Sequence, residues 1–196
     1  DEISLSRDDL KQLYEFDLSS KSKLERVRDL FIIQCDTGLR YSDLKQLDKL
    51  VLKIVNDKHI IQVFTRKTDQ EVILPQSRRT KEILAKYGGF PPVISNQKMN
   101  DYLQEACEMA GLVADVRFRT YHAGVTKQEV FKQWELIGTH TARRTFATNA
   151  TLEATIPKKI IMIMTGHKSE KAFDRYVRID SLTSALQYAD NAFFNQ

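Results

Sequence analysis

Four short segments carry side chains suited to one kind of chemistry, the handling of a phosphoryl group, and each sets a cation or a proton carrier at the edge of an element. In Thr37-Gly38-Leu39-Arg40-Tyr41-Ser42-Asp43-Leu44, Gly38 turns the chain and delivers Arg40 to the start of a helix. The free N–H groups there also favour an anion. Asp43, one turn along, either orients Arg40 or caps the helix. In Thr139-His140-Thr141-Ala142-Arg143-Arg144-Thr145-Phe146-Ala147, His140 and Arg143 are three apart and share a helix face. A guanidinium offers a planar fork for two phosphate oxygens, and the imidazole beside it exchanges a proton near neutral pH. In Met164-Thr165-Gly166-His167-Lys168-Ser169, Gly166 ends one helix and Ser169 caps the next, with His167 between them. In Phe173-Asp174-Arg175-Tyr176-Val177-Arg178 a phenol stands between two arginines. Taken singly each is weak. A lone Arg at a turn is usually a surface ion pair, and a lone Tyr or His is usually a packed anchor.

The elements that must position these groups are mostly helices. Ser6 caps a helix through Leu10, Leu13 and Tyr14, and a second runs from about Ser22 to Cys35 until Thr37-Gly38 stops it. A short helix begins near Ser42. Three segments rich in β-branched and aliphatic residues, Leu50 to Val55, Ile60 to Thr65 and Glu71 to Leu74, predict an antiparallel meander with turns at Asn56-Asp57 and Lys67 to Gln70. Helices are expected again at about Ser77 to Lys86, from Ser95 or Asn96 to before Gly111, His140 to Leu152, Pro157 to Met164, Ser169 to Tyr176, and Leu182 to Phe194. Between Val113 and Gly138, Val116, Phe118, Tyr121, Phe131, Trp134 and Leu136 around His122-Ala123-Gly124 predict a second hairpin. The fold class expected is therefore α+β, mainly helical, with a small antiparallel three-stranded sheet.

Composition narrows the function classes. The 196 residues are 42% hydrophobic and 29% charged with only 7 Gly and 4 Pro, which excludes collagen-like and low-complexity chains. The longest apolar run, Ile160 to Met164, is far short of the roughly 20 residues a bilayer crossing needs, so no membrane partner is expected. Cys35 and Cys107 lack metal-type spacing and are expected to be reduced, buried thiols. The net charge of +4 is unevenly spread: Asp115 to Arg178 holds 12 Lys or Arg against 6 Asp or Glu. That half is a plausible phosphate-facing surface. The chain opens at Asp1 without a basic leader or apolar signal, from which we expect a cytoplasmic protein with upstream DNA-binding domains preceding residues 1–196.

The order Gly-Leu-Arg, basic hairpin, His-x-x-Arg, Gly-His and then Tyr nine residues later, running from Thr37 to Tyr176, resembles the catalytic domain of the tyrosine recombinases, the phage-integrase family. The resemblance implies that Arg40 and Arg143 are the arginine pair, His140 and His167 the further pocket residues, and Tyr176 the nucleophile. It matches Lys67, in the hairpin Thr65-Arg66-Lys67-Thr68, to a lysine of the family, and Asp43 to a supporting acidic position. Arg144 stands where many members carry His, and Thr165 replaces a common Leu; neither is expected to touch the chemistry. The implied function is a site-specific recombinase or integrase of a bacterial mobile element, cutting and rejoining double-stranded DNA through a 3′-phosphotyrosyl link. Two guanidiniums and His167 would hold the non-bridging oxygens, His140 would act as base, and Lys67 would protonate the departing 5′ oxygen. No metal, ATP or other cofactor is implied, and the sequence holds neither a two-metal carboxylate cluster nor a Gly-rich nucleotide loop. The implied setting is nucleoid-associated, with self-assembly on DNA into a tetrameric synapse. The apolar face Leu182, Leu186, Ala189 and Phe193 would dock on a neighbouring protomer or on its own core. A type IB topoisomerase-like DNA-relaxing enzyme and a non-catalytic DNA-binding module are the competing readings.

Overall fold

Helices begin where a polar cap meets an apolar face. At the first, α1 (Arg7–Glu15), the Ser6 hydroxyl accepts the Asp9 N–H while the Asp9 carboxylate accepts the Ser6 N–H, and Leu10 and Leu13 are buried. The structure, a computed structural model, describes residues 2–46, 50–65, 70–122, 125–153, 155–179 and 181–191. Helix α2 (Ser22–Thr37) is the centre of the molecule and packs against α1, α4 (Arg78–Tyr87), α5 (Asn96–Met109) and α6 (Thr139–Leu152). Leu30, Phe31, Ile32 and Ile33 are all fully buried, so α2 has no solvent face along that stretch. Arg28 is buried with it. One Arg28 nitrogen donates to the carbonyls of Leu13, Tyr14 and Phe16 at the end of α1, and another pairs with the buried Asp29, which also accepts from Lys86 of α4. One ion network thus ties three helices and satisfies the carbonyls α1 leaves open.

After the short helix α3 (Tyr41–Leu44) come β1 (Leu50–Val55), β2 (Lys58–Thr65) and β3 (Gln70–Pro75), an antiparallel sheet in the order β1-β2-β3. Asn56 and Asp57 both adopt positive φ, 48° and 61°, the backbone a two-residue hairpin with right-handed twist demands. The register pairs Leu50 with Val63, Val63 with Val72 and Ile61 with Leu74. Those side chains enter the core, while Val51, Phe64 and Ile73 alternate outward. The turn between β2 and β3, with Lys67, lies outside the described residues.

The expected second hairpin is present as β4 (Asp115–His122) and β5 (Val125–Lys132), paired from Asp115↔Lys132 to His122↔Val125. Trp134 and Leu136 do not continue the strand. They form a 3-10 turn, Gln133–Leu136, that starts when the Gln133 N–H bonds the Ala114 carbonyl and lets Trp134 pack on the main core.

The C-terminal part comprises α6, α7 (Lys158–Thr165), α8 (Glu170–Asp174) and α9 (Ser181–Tyr188). Ala147, Ile161 and Phe173 form a separate buried cluster that joins α6, α7 and α8, with Phe146, Tyr176 and Val177 packed on it. Burying a side chain such as Phe173 contributes about 1.5–3 kcal/mol. Helix α8 was expected to reach Tyr176 but ends at Asp174. Thr148 of α6 explains the stop: its hydroxyl donates to the Tyr176 carbonyl at 3.4 Å and accepts the Arg178 N–H at 2.9 Å. Helix α9 ends at Tyr188, and Phe193 lies outside the described residues. Cys35 and Cys107 are free and buried. No helix among the described residues is long and apolar enough to cross a membrane.

Candidate active site

The site forms where two left-handed glycine turns meet the first half of α6. Gly38 ends α2 at φ 69° and Gly166 ends α7 at φ 64°. Each reversal leaves backbone carbonyls without helical partners, and Arg143 collects two of them. This arginine is almost wholly buried. Its guanidinium donates to the Gly38 carbonyl at 2.7 Å and to the Thr165 carbonyl, which locks the turn after α2 to the turn after α7. Burial, and then the charge of Arg40, push Arg143 down to about 10, so it stays a cation at neutral pH.

Arg40 is the residue before α3. The Asp43 carboxylate accepts the Arg40 backbone N–H at 3.2 Å, so Asp43, fully buried, fixes the start of that helix. One terminal nitrogen of Arg40 is buried with no protein partner among the described residues.

His167 stands directly after the Gly166 turn. Its Nδ1 lies 2.7 Å from the Thr165 hydroxyl, and its Nε2 lies 3.3 Å from an Arg143 nitrogen. The Thr165 hydroxyl donates to the Ile161 carbonyl at 2.8 Å. It therefore accepts from Nδ1–H, and the Arg143 nitrogen, 3.5 Å from Nδ1 as well, lies against the ring and out of line with the Nε2 lone pair. Burial, followed by the charges of Arg143 and Arg40, lowers His167 to about 4. It is a neutral imidazole at pH 7.

Tyr176 lies against both groups. Its ring centre is 5.3 Å from the Arg143 guanidinium carbon and 4.9 Å from the centre of the His167 ring. Phe173 meets His167 edge-on, the ring centres 5.4 Å apart. His140, in the first turn of α6, and Tyr176 line one open cleft of about 580 Å³ with Arg144, Arg175, Arg178 and Glu2. Burial, then Arg144, with smaller contributions from Arg40 and Arg143, lower His140 below the ordinary histidine range; Glu2 opposes them.

Arg40, Asp43, His140, Arg143, His167 and Tyr176 thus converge, although 136 positions separate Arg40 from Tyr176. Lys67 lies outside the described residues. Arg144 and Thr165, neither of them expected to touch the chemistry, both stand at the site. Arg144 lines the cleft and depresses His140, because four residues along a helix return to the same face. Thr165 gives its carbonyl to Arg143 and its hydroxyl to His167. The sequence signal for Thr165 was a hydroxyl at the end of the apolar run Ile160 to Met164, just before Gly-His. The part played by the Gly38 carbonyl had no side-chain signal. Among the described residues no group of three or more His, Cys, Asp or Glu is placed to hold a metal ion.

Comparison with solved structures gives XerA recombinase at TM-score 0.64 and 18% identity, covering 97% of this chain and 65% of that one. The XerH site-specific recombinase bound to palindromic difH substrate, a post-cleavage complex, gives 0.65 and 16%, covering 97% and 52%. A lambda integrase (75-356) dimer bound to a COC′ core site gives 0.55 and 19%, covering 89% and 59%. These likenesses show a shared fold, and the chain spans about half to two thirds of the length of each. No curated protein matches the sequence. The family model described as "Phage integrase family" matches residues 4–182, and by that match the chain belongs to the phage integrase family.

Proposed function

We propose that this chain is the catalytic domain of a site-specific DNA recombinase or integrase that cuts and rejoins double-stranded DNA through a 3′-phosphotyrosyl intermediate, without metal or ATP. The observation that carries the reading is the position of Tyr176 against both Arg143 and His167. A phenol with an ordinary pKa near 10 is only about a thousandth ionised at pH 7, so it needs positive potential or a base. Arg143 and Arg40 supply the potential. His140, neutral and in the same cleft, accepts the phenol proton. The Tyr176 oxygen then attacks phosphorus, the bond to the 5′ oxygen breaks, and that oxygen leaves as a hydroxyl after receiving a proton; Lys67 is our candidate donor. Arg40 and Arg143 hold the non-bridging oxygens, and His167 joins them as a donor once its proton moves to Nε2 and the Thr165 hydroxyl turns to donate to Nδ1. The new phosphodiester resembles the one broken, so reversal by a 5′ hydroxyl rejoins the strand.

The DNA-bound complexes of XerH and lambda integrase, and a lambda integrase tetramer on a Holliday junction, support double-stranded DNA as the partner and assembly on it as the working state. The test uses nicked suicide duplexes that lose their 5′ hydroxyl after cleavage, incubated with protein in EDTA. Wild type should form a detergent-stable protein–DNA adduct, and Tyr176→Phe should bind DNA without forming one. Loss of the wild-type adduct in EDTA would overturn the metal-free reading, and release of unlinked product ends would indicate hydrolysis by water.

A further inference from the structure

Glu2 sits where a ligand belongs. Its two carboxylate oxygens divide between two guanidiniums, one bonding Arg144 and the other Arg178. The contact spans 142 positions to Arg144 and 176 to Arg178, so folding alone brings it about. The Arg144 side chain is only 13% exposed, and its Nε carries a hydrogen with no acceptor among the described residues. Glu2 engages just one nitrogen of that fork. Two guanidiniums against one carboxylate leave a cation uncompensated. Burial opposes ionisation of Glu2, but the hydrogen bonds and charges of Arg144 and Arg178 prevail and hold its carboxyl below the usual range.

The location matters as much as the pairing. Glu2 and Arg178 are shared by the cleft that holds His140 and Tyr176 and by a second cleft of about 470 Å³, which Arg117 of β4 lines. The pair is a partition across one basic track from Tyr176 to the β4–β5 hairpin. Two oxygens spread over two guanidinium forks is also how a phosphodiester presents its non-bridging oxygens, and a phosphodiester has further oxygens for Arg144 Nε.

We propose that Arg144 and Arg178 form a seat for a DNA backbone phosphate adjacent to the scissile linkage, and that the Glu2 carboxylate fills this seat until DNA displaces it. This rests on the recombinase reading above. Glu2 is then a competitor carried on the same chain, and the seat stays closed to anions that cannot displace it.

The test is a mutant cycle read by fluorescence anisotropy with a short labelled duplex of arbitrary sequence over a range of salt. Glu2→Gln keeps the shape and removes the charge; it should tighten binding about threefold to tenfold. Arg144→Ala and Arg178→Ala should each weaken binding and lower the salt slope by about one. In Glu2→Gln with Arg144→Ala and Arg178→Ala together, the gain from Glu2→Gln should vanish. If the gain persists in that background, Glu2 acts only as a remote negative charge and the proposal fails. It fails equally if Glu2→Gln changes nothing. Thermal melting checks each variant, and Arg144→Lys and Arg178→Lys replace any alanine variant that does not fold; with a point charge lacking the fork they should still weaken binding. These outcomes are separable from the recombinase reading, which stands or falls on the Tyr176 adduct.

Discussion

Of the two histidines at the site, His167 departs further from its type. Its imidazole is held neutral by burial and by two guanidiniums, at about 4, against an ordinary value near 6.5. The unfolded chain therefore binds a proton that the folded chain refuses between those values, and stability rises with pH across the window. Urea midpoints should climb from pH 4 to 6.5, with His140 contributing in the same direction, and the climb should be shallower in His167→Gln. A His167 ring that titrates near 6.5 by NMR in the free protein contradicts this account. Thr165 is a positioning residue in the same pair. Thr165→Val removes the acceptor for Nδ1–H, a loss of about 1 kcal/mol, so adduct formation should slow about fivefold to tenfold. Nitrogen NMR should show the Nδ1–H tautomer depleted, and Thr165→Ser should restore both. The arginines, histidines and tyrosine were legible because their types and spacing recur in a fixed order. Thr165 and the Gly38 carbonyl were not, since what they do depends on two turns meeting in space.

The site's elements are held by turns as much as by helices. Gly38 shows this: a Cβ there would lie 2.7 Å from Phe146 Cδ1 and 3.2 Å from Thr165 Cγ2, on a backbone at φ 69°. Gly38→Ala combines an unfavourable backbone region with overlap, a cost of about 2–4 kcal/mol. It should lower the urea midpoint and also displace the carbonyl that holds Arg143, so adduct formation should fall even at temperatures where the variant is folded. Unchanged activity in a folded Gly38→Ala would show that the turn does not position Arg143. Caps and alternation made most elements readable: Ser6, Ser77 and Ser169 each accept an N–H where a helix was expected to begin. The end of α8 was not readable, because Thr148, from another helix, catches the chain at Tyr176 and Arg178. Nor was the 3-10 turn at Gln133–Leu136, whose Trp134 satisfies a strand pattern until packing on the core claims it.

At the scale of the whole molecule, basic clefts and an unspent apolar face lie on one chain. Leu182 and Leu186 of α9 are 68% and 67% exposed, so α9 does not use them to pack on its own core. Under the proposed function that face docks on a second copy assembled on DNA. Replacing both leucines by Glu should leave the melting temperature unchanged while reducing multimers on DNA in sedimentation; a large drop in melting temperature would mean that the face packs in cis. The spacing of these residues left both options open, since a stripe at helical period reads alike in either case. The central claim is that Tyr176 is the atom donor that becomes linked to DNA, and it is tested most directly by mass spectrometry of peptides from the trapped adduct. The account predicts a nucleotide on the peptide bearing Tyr176, with Tyr188 and the other tyrosines unmodified. A nucleotide on any other residue contradicts it.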